Sequence, residues 1–385
     1  MTSPFSFKPL DIPETLAPLR RRVRDFLRDA GRDWSGWTIG HSWTGFDKDF
    51  SRAVAARGWI GMTWPKQYGG HERSHLERFV VVEEMLAAGA PLGAHWFGDR
   101  QSGPLLLRLG TEQQRRRFLP EIARGEASFC IGLSEPNAGS DLAALKSRAT
   151  RVDGGWRLNG TKIWTTNGHL CDFMIGLFRT GDDGQARHQG LSQFLIDMTS
   201  SGIDVRPIRD LTGEAHFNEV FFDDVLVPDD MLIGEEGNGW SQATSELAFE
   251  RSQPDRFMSC FPVLPPLIDA IRRQGDGDRL AARRIGATVA DLVILREMSL
   301  SVLGQLAEGQ APAQEAALVK DLGNSHEQQI PNLVRELADC PATIARGDRL
   351  SELQGFLTQN VPSYSLRGGT REILRGIIAK GLGLR

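Results

Sequence analysis

Apolar residues recur at helical spacing over the first third of the chain. Side chains three or four positions apart predict an amphipathic helix over 15–30, which Gly31 ends. Further helical patterns cover 79–88, 102–109 and 112–123. The first part of the chain is therefore predicted to be mostly helical.

The period of the pattern changes in the middle of the chain and changes back near residue 239. Short apolar runs bounded by turn residues predict strands over 130–133, 146–152, 156–158, 173–178, 194–196 and 217–227. Helical patterns then cover 241–251, 279–307, 314–330 and 370–380. This order predicts an α+β multidomain fold with an N-terminal helical domain over 1–127, a central β domain over 128–230 and a C-terminal helical bundle over 231–385.

Composition narrows the class of protein. Apolar residues make up 40% of the 385 positions and charged residues 24%, which are globular values and exclude bulk disorder. The net charge of −4 offers no basic field for nucleic acid or an anionic membrane. Because the sequence has neither a signal peptide nor an apolar run long enough for a membrane span, we expect a cytoplasmic protein. The four cysteines are far apart in sequence, which favours free thiols.

One short motif suggests zinc and is rejected. His71-Glu72-Arg73-Ser74-His75 matches HExxH, which on a helix would place two imidazoles one turn apart. The match follows Gly69-Gly70, which predicts a junction between a loop and a helix, and no third ligand stands at a suitable spacing. We therefore predict no metal site.

Two segments of the β region carry groups that could bind a cofactor. Residues 132–141, GLSEPNAGSD, run from a strand into a turn of small residues whose N–H groups could face an anion. Residues 162–168, KIWTTNG, place a planar ring and two hydroxyls at the end of a strand. Taken alone, the pattern of the first segment favours an ordinary Asx or Ser turn, and the second is no more than a good β-strand.

With the spacing of these segments and the tail 368–373, GGTREI, the chain resembles the acyl-CoA dehydrogenases. The likeness runs from 64–70, WPKQYGG, to the C-terminal GGTREILRGIIAKGLGL. It implies a flavoprotein with a helical, β and helical layout and an FAD cofactor. The implied reaction is the oxidation of the Cα–Cβ bond of an acyl-CoA to the trans-2-enoyl-CoA.

The resemblance also implies roles for individual residues. The segment 131–140 would lie against the flavin and its pyrophosphate, with Ser134 at the pyrimidine edge and Ser140 near both phosphate and substrate. Gly369 and, more weakly, Lys380 correspond to substrate contacts. The implied cofactor contacts are Ile131, Leu133, Ser134, Gly139, Ser140, Trp164, Thr166, Thr370 and Glu372.

The catalytic base is the informative departure from the family pattern. Many members carry a catalytic Glu where this chain has Gly368, whereas another branch carries it on the helix after the β domain, directly before an Arg. Glu250, followed by Arg251, matches that branch and is the predicted base, with Glu246 as its nearest rival one turn earlier. Arg251 would line the CoA side of the substrate channel, although the acidic residue often found three places before it is Ala248 here.

A second departure concerns assembly. The family's neighbouring subunit supplies Arg-x-x-Phe-Gly and Gln-x-x-Gly-Gly segments to FAD, and here both are incomplete, at 272–278 and at 352–356. Two assemblies therefore stay open, a homo-oligomer such as the family's tetramer and a heterotetramer with a homologous chain. The resemblance also implies an electron-transfer flavoprotein as the electron acceptor. Two other functions are alternatives to the dehydrogenase. One is a subunit that is non-catalytic or holds only half of the FAD site (a half-site subunit), and the other is an oxygen-reacting oxidase or monooxygenase on the same fold.

Overall fold

The computed structural model describes the backbone of residues 5–181, 186–274, 279–338, 340, 342 and 347–384, and their side chains except those of 245–250. Within these residues helices come first, a sheet follows and helices return, as the change of period predicts. The α-helices are α1 (Ala17–Ala30), α2 (Gly36–His41), α3 (Lys48–Ala55), α4 (His75–Ala87), α5 (Gly93–Phe97), α6 (Gly103–Leu109), α7 (Glu112–Ala123), α8 (Gly239–Glu250), α9 (Leu264–Gln274), α10 (Arg279–Ala307), α11 (Ala313–Leu337), α12 (Arg349–Asn360) and α13 (Arg371–Gly381).

The strands form one mixed sheet. They are β1 (Phe129–Gly132), β2 (Arg148–Val152), β3 (Gly155–Lys162), β4 (Phe173–Arg179), β5 (Leu191–Asp197), β6 (Ile203–Ile208), β7 (Phe217–Pro228) and β8 (Leu232–Ile233). Their order is β6-β7-β3-β2-β4-β5-β8, and β1 pairs with β4 in parallel. The segments that follow β1 and β3 carry the candidate cofactor residues.

The chain divides into two compact units. The helical unit contains Met1–Trp43, His75–Pro91 and Leu247–Arg385, and the sheet unit contains Thr44–Ser74 and Leu92–Glu246. The described part contains no helix with the length and apolar character that crossing a bilayer requires.

Packing of the helical unit follows from amphipathic helices. Helix α1 buries Leu19, Val23 and Leu27, which lie on one face of the helix. Arg20 and Arg24 on the same helix form ion pairs with acidic side chains of α4. A larger apolar cluster joins α9, α11 and α12, so these three helices share one core.

Aromatic side chains fill the interior of the sheet unit. Phe178 meets Phe194 and Phe222 edge to face, with ring centroids 6.2 Å and 5.2 Å apart, and Trp156 packs on Phe194 in the same way at 5.4 Å. These rings are almost completely buried. The core therefore lies directly beneath the strands that lead to the candidate site.

Some elements were not predicted. Strand β6 is an edge strand of mixed exposure that contains Pro207, and its sequence carries no clear alternation. Helix α12 buries polar side chains as well as apolar ones, so it shows no amphipathic stripe. The predicted helix over 102–109 begins at Gly103, because Gly98–Ser102 forms a π-helical turn.

The HExxH stretch lies at a junction between a loop and a helix, as predicted. Helix α4 begins at His75, so His71 precedes it and the two imidazoles do not share a helical turn. The His71 ring instead lies against Gly58. In the described part of the chain, no group of three or more His, Cys, Asp or Glu side chains is arranged to hold a metal ion. All four cysteines are free, buried thiols.

Candidate active site

The turn after β1 brings the first candidate segment to the surface of the sheet unit. Glu135 and Ala138 exchange two backbone hydrogen bonds of 3.0 Å, which close the turn. Ile131, Leu133 and Ser134 are half-buried, whereas Gly139 and Ser140 are exposed. The small residues therefore present backbone and hydroxyl groups to solvent.

A buried ion pair holds this turn against the end of β3. Lys162 is completely buried, and its Nζ lies 2.8 Å from Oε1 of Glu135. Glu135 also accepts hydrogen bonds from the backbone N–H groups of Lys146 and Ser147, at 2.6 Å and 2.9 Å. In addition, the N–H of Ile163 donates to the carbonyl of Ser134 at 2.9 Å. The two candidate segments are thus fixed to one another.

Burial and charge act in opposite directions on this pair. Burial lowers the pKa of Lys162 to about 8, although Glu135 partly opposes that shift. Burial would raise the pKa of Glu135, but Lys162 and the N–H group of Lys146 lower it below its ordinary value. The carboxylate therefore stays charged at neutral pH.

Trp164, two residues after the end of β3, has an unusual backbone conformation and an exposed ring. Its φ is +61°, in the left-handed region that bulky residues rarely adopt, and its side chain is 55% exposed. The backbone N–H groups on either side of it are held, at Ile163 by Ser134 and at Thr165 by the carbonyl of Asn218, 3.1 Å away. The Trp164 ring meets Phe217 edge to face at 5.8 Å. The local structure therefore presents a planar aromatic surface to solvent.

These features fit a flavin. Within the residues that the structure describes, the hydroxyls of Ser134, Ser140 and Thr166 have no hydrogen-bond partner, so they are available to a ligand. A Cβ placed on Gly139 would meet no atom within 4 Å, and its backbone has no positive φ. The protein's own packing does not require glycine at this position, whereas close approach of a ligand would. Together with Trp164, these residues could hold the ring and phosphates of FAD.

The C-terminal candidates lie in the helical unit. Thr370 is the N-cap of α13, and its side chain accepts a hydrogen bond from the N–H of Ile373. Glu372 is exposed in the first turn of the same helix, where its own backbone N–H and the Thr370 hydroxyl lower the pKa of its carboxyl group. Lys380 is exposed near the end of α13.

The turn before α13 contains Gly368, the position at which the resemblance places the catalytic Glu of many acyl-CoA dehydrogenases. Gly368 and Gly369 both have positive φ, +65° and +103°. Nε of Arg251, a buried residue, donates to the carbonyl of Gly368 at 3.3 Å. Arg251 and Gly369, two predicted substrate contacts, are therefore brought to one place.

The predicted base lies at the end of α8. The helix runs from Gly239 to Glu250, so Glu250 is its last residue and Arg251 follows at once. The side chains of 245–250, those of Glu246 and Glu250 among them, lie outside the described residues.

Sequence reasoning missed the residues that support the site. Lys162, Glu135, Lys320 and Arg367 are charged residues that the structure buries wholly or largely. Charged side chains are usually exposed, so a single sequence gives no reason to place them inside. For two of them one signal was present in the sequence, their position in the motifs, because Glu135 lies within the first candidate segment and Lys162 begins the second.

Comparison with known proteins identifies the family. Models described as "Acyl-CoA dehydrogenase, N-terminal domain" and "Acyl-CoA dehydrogenase, middle domain" match residues 13–126 and 130–225. Acyl-CoA dehydrogenase IpdE1 of Mycobacterium tuberculosis is 34% identical over 336 residues, which are 86% of each chain. Acyl-CoA dehydrogenase FadE34 of the same organism is 34% identical over 340 residues, which cover 86% of this chain and 45% of FadE34.

Solved structures show the same fold. The Tcur3481-Tcur3483 steroid ACAD has a TM-score of 0.87 at 25% identity, and the match covers 98% of this chain and 100% of that one. The order of helices, sheet and helices predicted above is confirmed by this match. With the family models and the relatives, it establishes that the chain belongs to the acyl-CoA dehydrogenase family of oxidoreductases.

Proposed function

We propose that this chain catalyses the α,β-dehydrogenation of an acyl-CoA thioester with FAD as cofactor and Glu250 as base. One observation carries the assignment of the base. Arg251, the residue after Glu250, donates to the carbonyl of Gly368, which occupies the position of the base in other family members. The end of α8 and that position are therefore neighbours, and a carboxylate on α8 can replace the one missing from the turn.

The chemistry follows from the acidity of the α-carbon. Its proton becomes removable when the thioester carbonyl is polarised, and the N–H of Gly368 is the backbone donor that the resemblance implies. Glu250 would take this proton while the β-hydrogen leaves with its electron pair, so a C=C bond forms. FAD, when bound on the face around Trp164, supplies the hydride acceptor. A carboxylate screened from water by the acyl chain would be a stronger base.

The direct test is anaerobic titration of the FAD-loaded protein with a panel of acyl-CoA thioesters, straight-chain, branched and steroid side-chain. We expect at least one thioester to bleach the flavin absorbance of the wild type and of Glu246→Gln. Glu250→Gln should bleach more slowly by roughly 10²–10⁴, the usual contribution of a general base. Equal rates in Glu250→Gln and the wild type would contradict the assignment, and loss confined to Glu246→Gln would move the base to that residue.

The rate at which the reduced flavin is reoxidised distinguishes between two electron acceptors, an electron-transfer flavoprotein and molecular oxygen. We propose an electron-transfer flavoprotein as the acceptor, as the resemblance implies. Slow reoxidation by air and fast reoxidation by electron-transfer flavoprotein are expected. The opposite order would identify an oxygen-reacting enzyme on this fold.

A second candidate, a half-site subunit, is favoured by a specific observation. Gln354 and Gly355, the remnant of the Gln-x-x-Gly-Gly segment, are buried within α12. Nε2 of Gln354 donates to the carbonyl of Pro331 at 2.8 Å, so the nitrogen of this amide is bound within the core of its own chain. The Tcur3481-Tcur3483 steroid ACAD, which resembles this chain, is named for two proteins. We propose that a homologous chain completes the adenine half of the FAD site and that the acyl group is bulky, of the steroid side-chain kind.

A further inference from the structure

The Gly368–Gly369 turn has both of its carbonyl oxygens bound by cations from elsewhere in the helical unit. Nζ of Lys320, on α11, donates to the carbonyl of Gly369 at 2.5 Å, and Arg251 donates to that of Gly368. Lys320 is completely buried. A buried ammonium group is costly unless polar partners surround it, so the bond to Gly369 contributes to its retention.

Both ends of the turn are also fixed. Arg367, directly before it, donates through Nη2 to the carbonyl of Asp255 at 2.9 Å, to Oγ of Ser259 at 3.1 Å and to Oε2 of the buried Glu327 at 2.9 Å. Its guanidinium group lies 4.0 Å from the centre of the Tyr364 ring. After the turn, the Thr370 cap begins α13.

The N–H groups of the two glycines differ from their carbonyl groups in that no backbone atom of the described residues binds them. In the described part of the chain, neither N–H donates to a backbone carbonyl, although both carbonyls accept from cations. A cation on a carbonyl oxygen polarises the whole peptide group and strengthens the N–H on its far side as a donor. Arg251 therefore strengthens the N–H of Gly369, and Lys320 strengthens that of Thr370. Glycines at positive φ are flexible when unsupported, so these bonds also hold the donors in place.

We infer that Lys320 is a positioning residue for the dehydrogenation: together with Arg251 it holds the Gly368–Gly369 turn in place, and with the turn the Gly368 N–H that the resemblance assigns to the thioester carbonyl. This inference rests on the proposed function and adds to it a residue from a different helix. Lys320 does not touch the reacting atoms, and its effect passes through the peptide groups of the turn.

The geometric part can be tested without substrate. Three Thr residues follow a Gly, namely Thr111, Thr161 and Thr370, so labelling with [1-¹³C]Gly and [¹⁵N]Thr gives three selected amide signals. Thr111→Ser and Thr161→Ser identify two of them in the deuterated, FAD-loaded full chain. We expect Lys320→Met to move the Thr370 signal well beyond the other two and Lys320→Arg to restore most of the shift. An unmoved Thr370 signal in folded Lys320→Met overturns the inference.

The catalytic part uses the same variants and a matched control. Arg296→Met removes a partly buried cation of the helical unit, one that binds Glu83 on α4. We expect Lys320→Met to slow anaerobic flavin bleaching at least about tenfold, less than the roughly 10²–10³ lost with a donor that touches the oxyanion directly. Its acyl-CoA dissociation constant should change less than threefold, Lys320→Arg should recover most of the rate, and Arg296→Met should bleach as the wild type does.

The outcomes separate the two proposals. A wild-type rate in Lys320→Met, or an equal loss in Arg296→Met, overturns the positioning role even if Glu250 is the base. If no acyl-CoA bleaches the wild type, the proposed function is wrong and the catalytic role of Lys320 falls with it. The Thr370 signal would still decide whether Lys320 fixes the turn.

Discussion

Trp164 combines two features that are unfavourable in an isolated protein. A bulky residue at positive φ carries strain of roughly 1–3 kcal/mol, and its indole ring is 55% exposed. Hydrogen bonds at Ile163 and Thr165 hold the strained backbone in place. Such residues cluster at ligand sites, so the conformation of Trp164 supports the cofactor face independently of any motif.

At the same scale, Lys162 makes the stability of the sheet unit depend on one ion pair. Lys162→Met leaves Glu135 buried without its cation and should lower the free energy of unfolding by about 3–5 kcal/mol. Denaturation by urea measures this change, and Lys66→Met is the matched control. Because the Lys66–Glu72 pair is exposed, its loss should cost less than about 1 kcal/mol. Equal losses in the two variants would show that the buried pair contributes no more than a surface one.

The pH dependence of the same pair has a definite sign. The pKa of Lys162 is lowered to about 8 from its ordinary 10.5, so between these values the unfolded chain binds more protons here than the folded chain. The contribution of this group to stability is therefore smallest below pH 8 and grows up to about pH 10.5. We expect the difference in unfolding free energy between wild type and Lys162→Met to increase from pH 8 to pH 10. A flat or falling difference would contradict the assigned pKa.

At the scale of elements, substitutions at two glycines should have different effects, one on the stability of the fold and the other on the binding of FAD. Gly160 lies at an irregularity in the pairing of β3 with β7, has φ +139°, and a Cβ there would lie 2.7 Å from Cα of Ser147. Gly160→Ala should therefore lower the free energy of unfolding by roughly 1–3 kcal/mol or more. Gly139→Ala has free space around it, so it should leave stability within about 0.5 kcal/mol.

The same two variants should behave in the opposite way toward FAD. A methyl group on Gly139 would stand where the pyrophosphate is proposed to lie, and we expect at least about a tenfold weaker FAD affinity, or 1.4 kcal/mol. Gly160→Ala should keep the wild-type affinity once folded. Fluorescence titration of the apoprotein with FAD gives both constants, and an unchanged affinity in Gly139→Ala would remove that residue from the site.

Elements could be predicted from the sequence where their pattern of buried and exposed residues follows the pattern of apolar and polar residues. Helix α7 and strand β4 were predicted nearly to the residue because one side of α7 faces water and β4 is a continuous apolar run. Helix α12 was missed because Glu352, Gln354 and other polar residues are buried in it. At the candidate site, the motif segments could be singled out from the sequence, but the pairing of Lys162 with Glu135 and of Lys320 with Gly369 could not. These contacts join residues far apart in sequence and bury charges, which no local pattern encodes.

At the scale of the whole molecule, the assembly proposal predicts how much cofactor the chain holds. Purified alone, the protein should contain well under one FAD per chain, and co-expression with a homologous chain should raise the content of the complex. Absorbance and protein quantification measure the ratio. One FAD per chain at full occupancy in the protein purified alone would contradict the half-site proposal without affecting the fold or the base.

The most direct test of the account is the single-turnover rate of flavin bleaching under anaerobic conditions in wild type and Glu250→Gln. Both proteins should be loaded with FAD and mixed with the thioester that bleaches the wild type best. The account predicts a loss of roughly 10²–10⁴ in rate with acyl-CoA affinity nearly unchanged, because only proton removal is affected. A rate in Glu250→Gln equal to that of the wild type would contradict it.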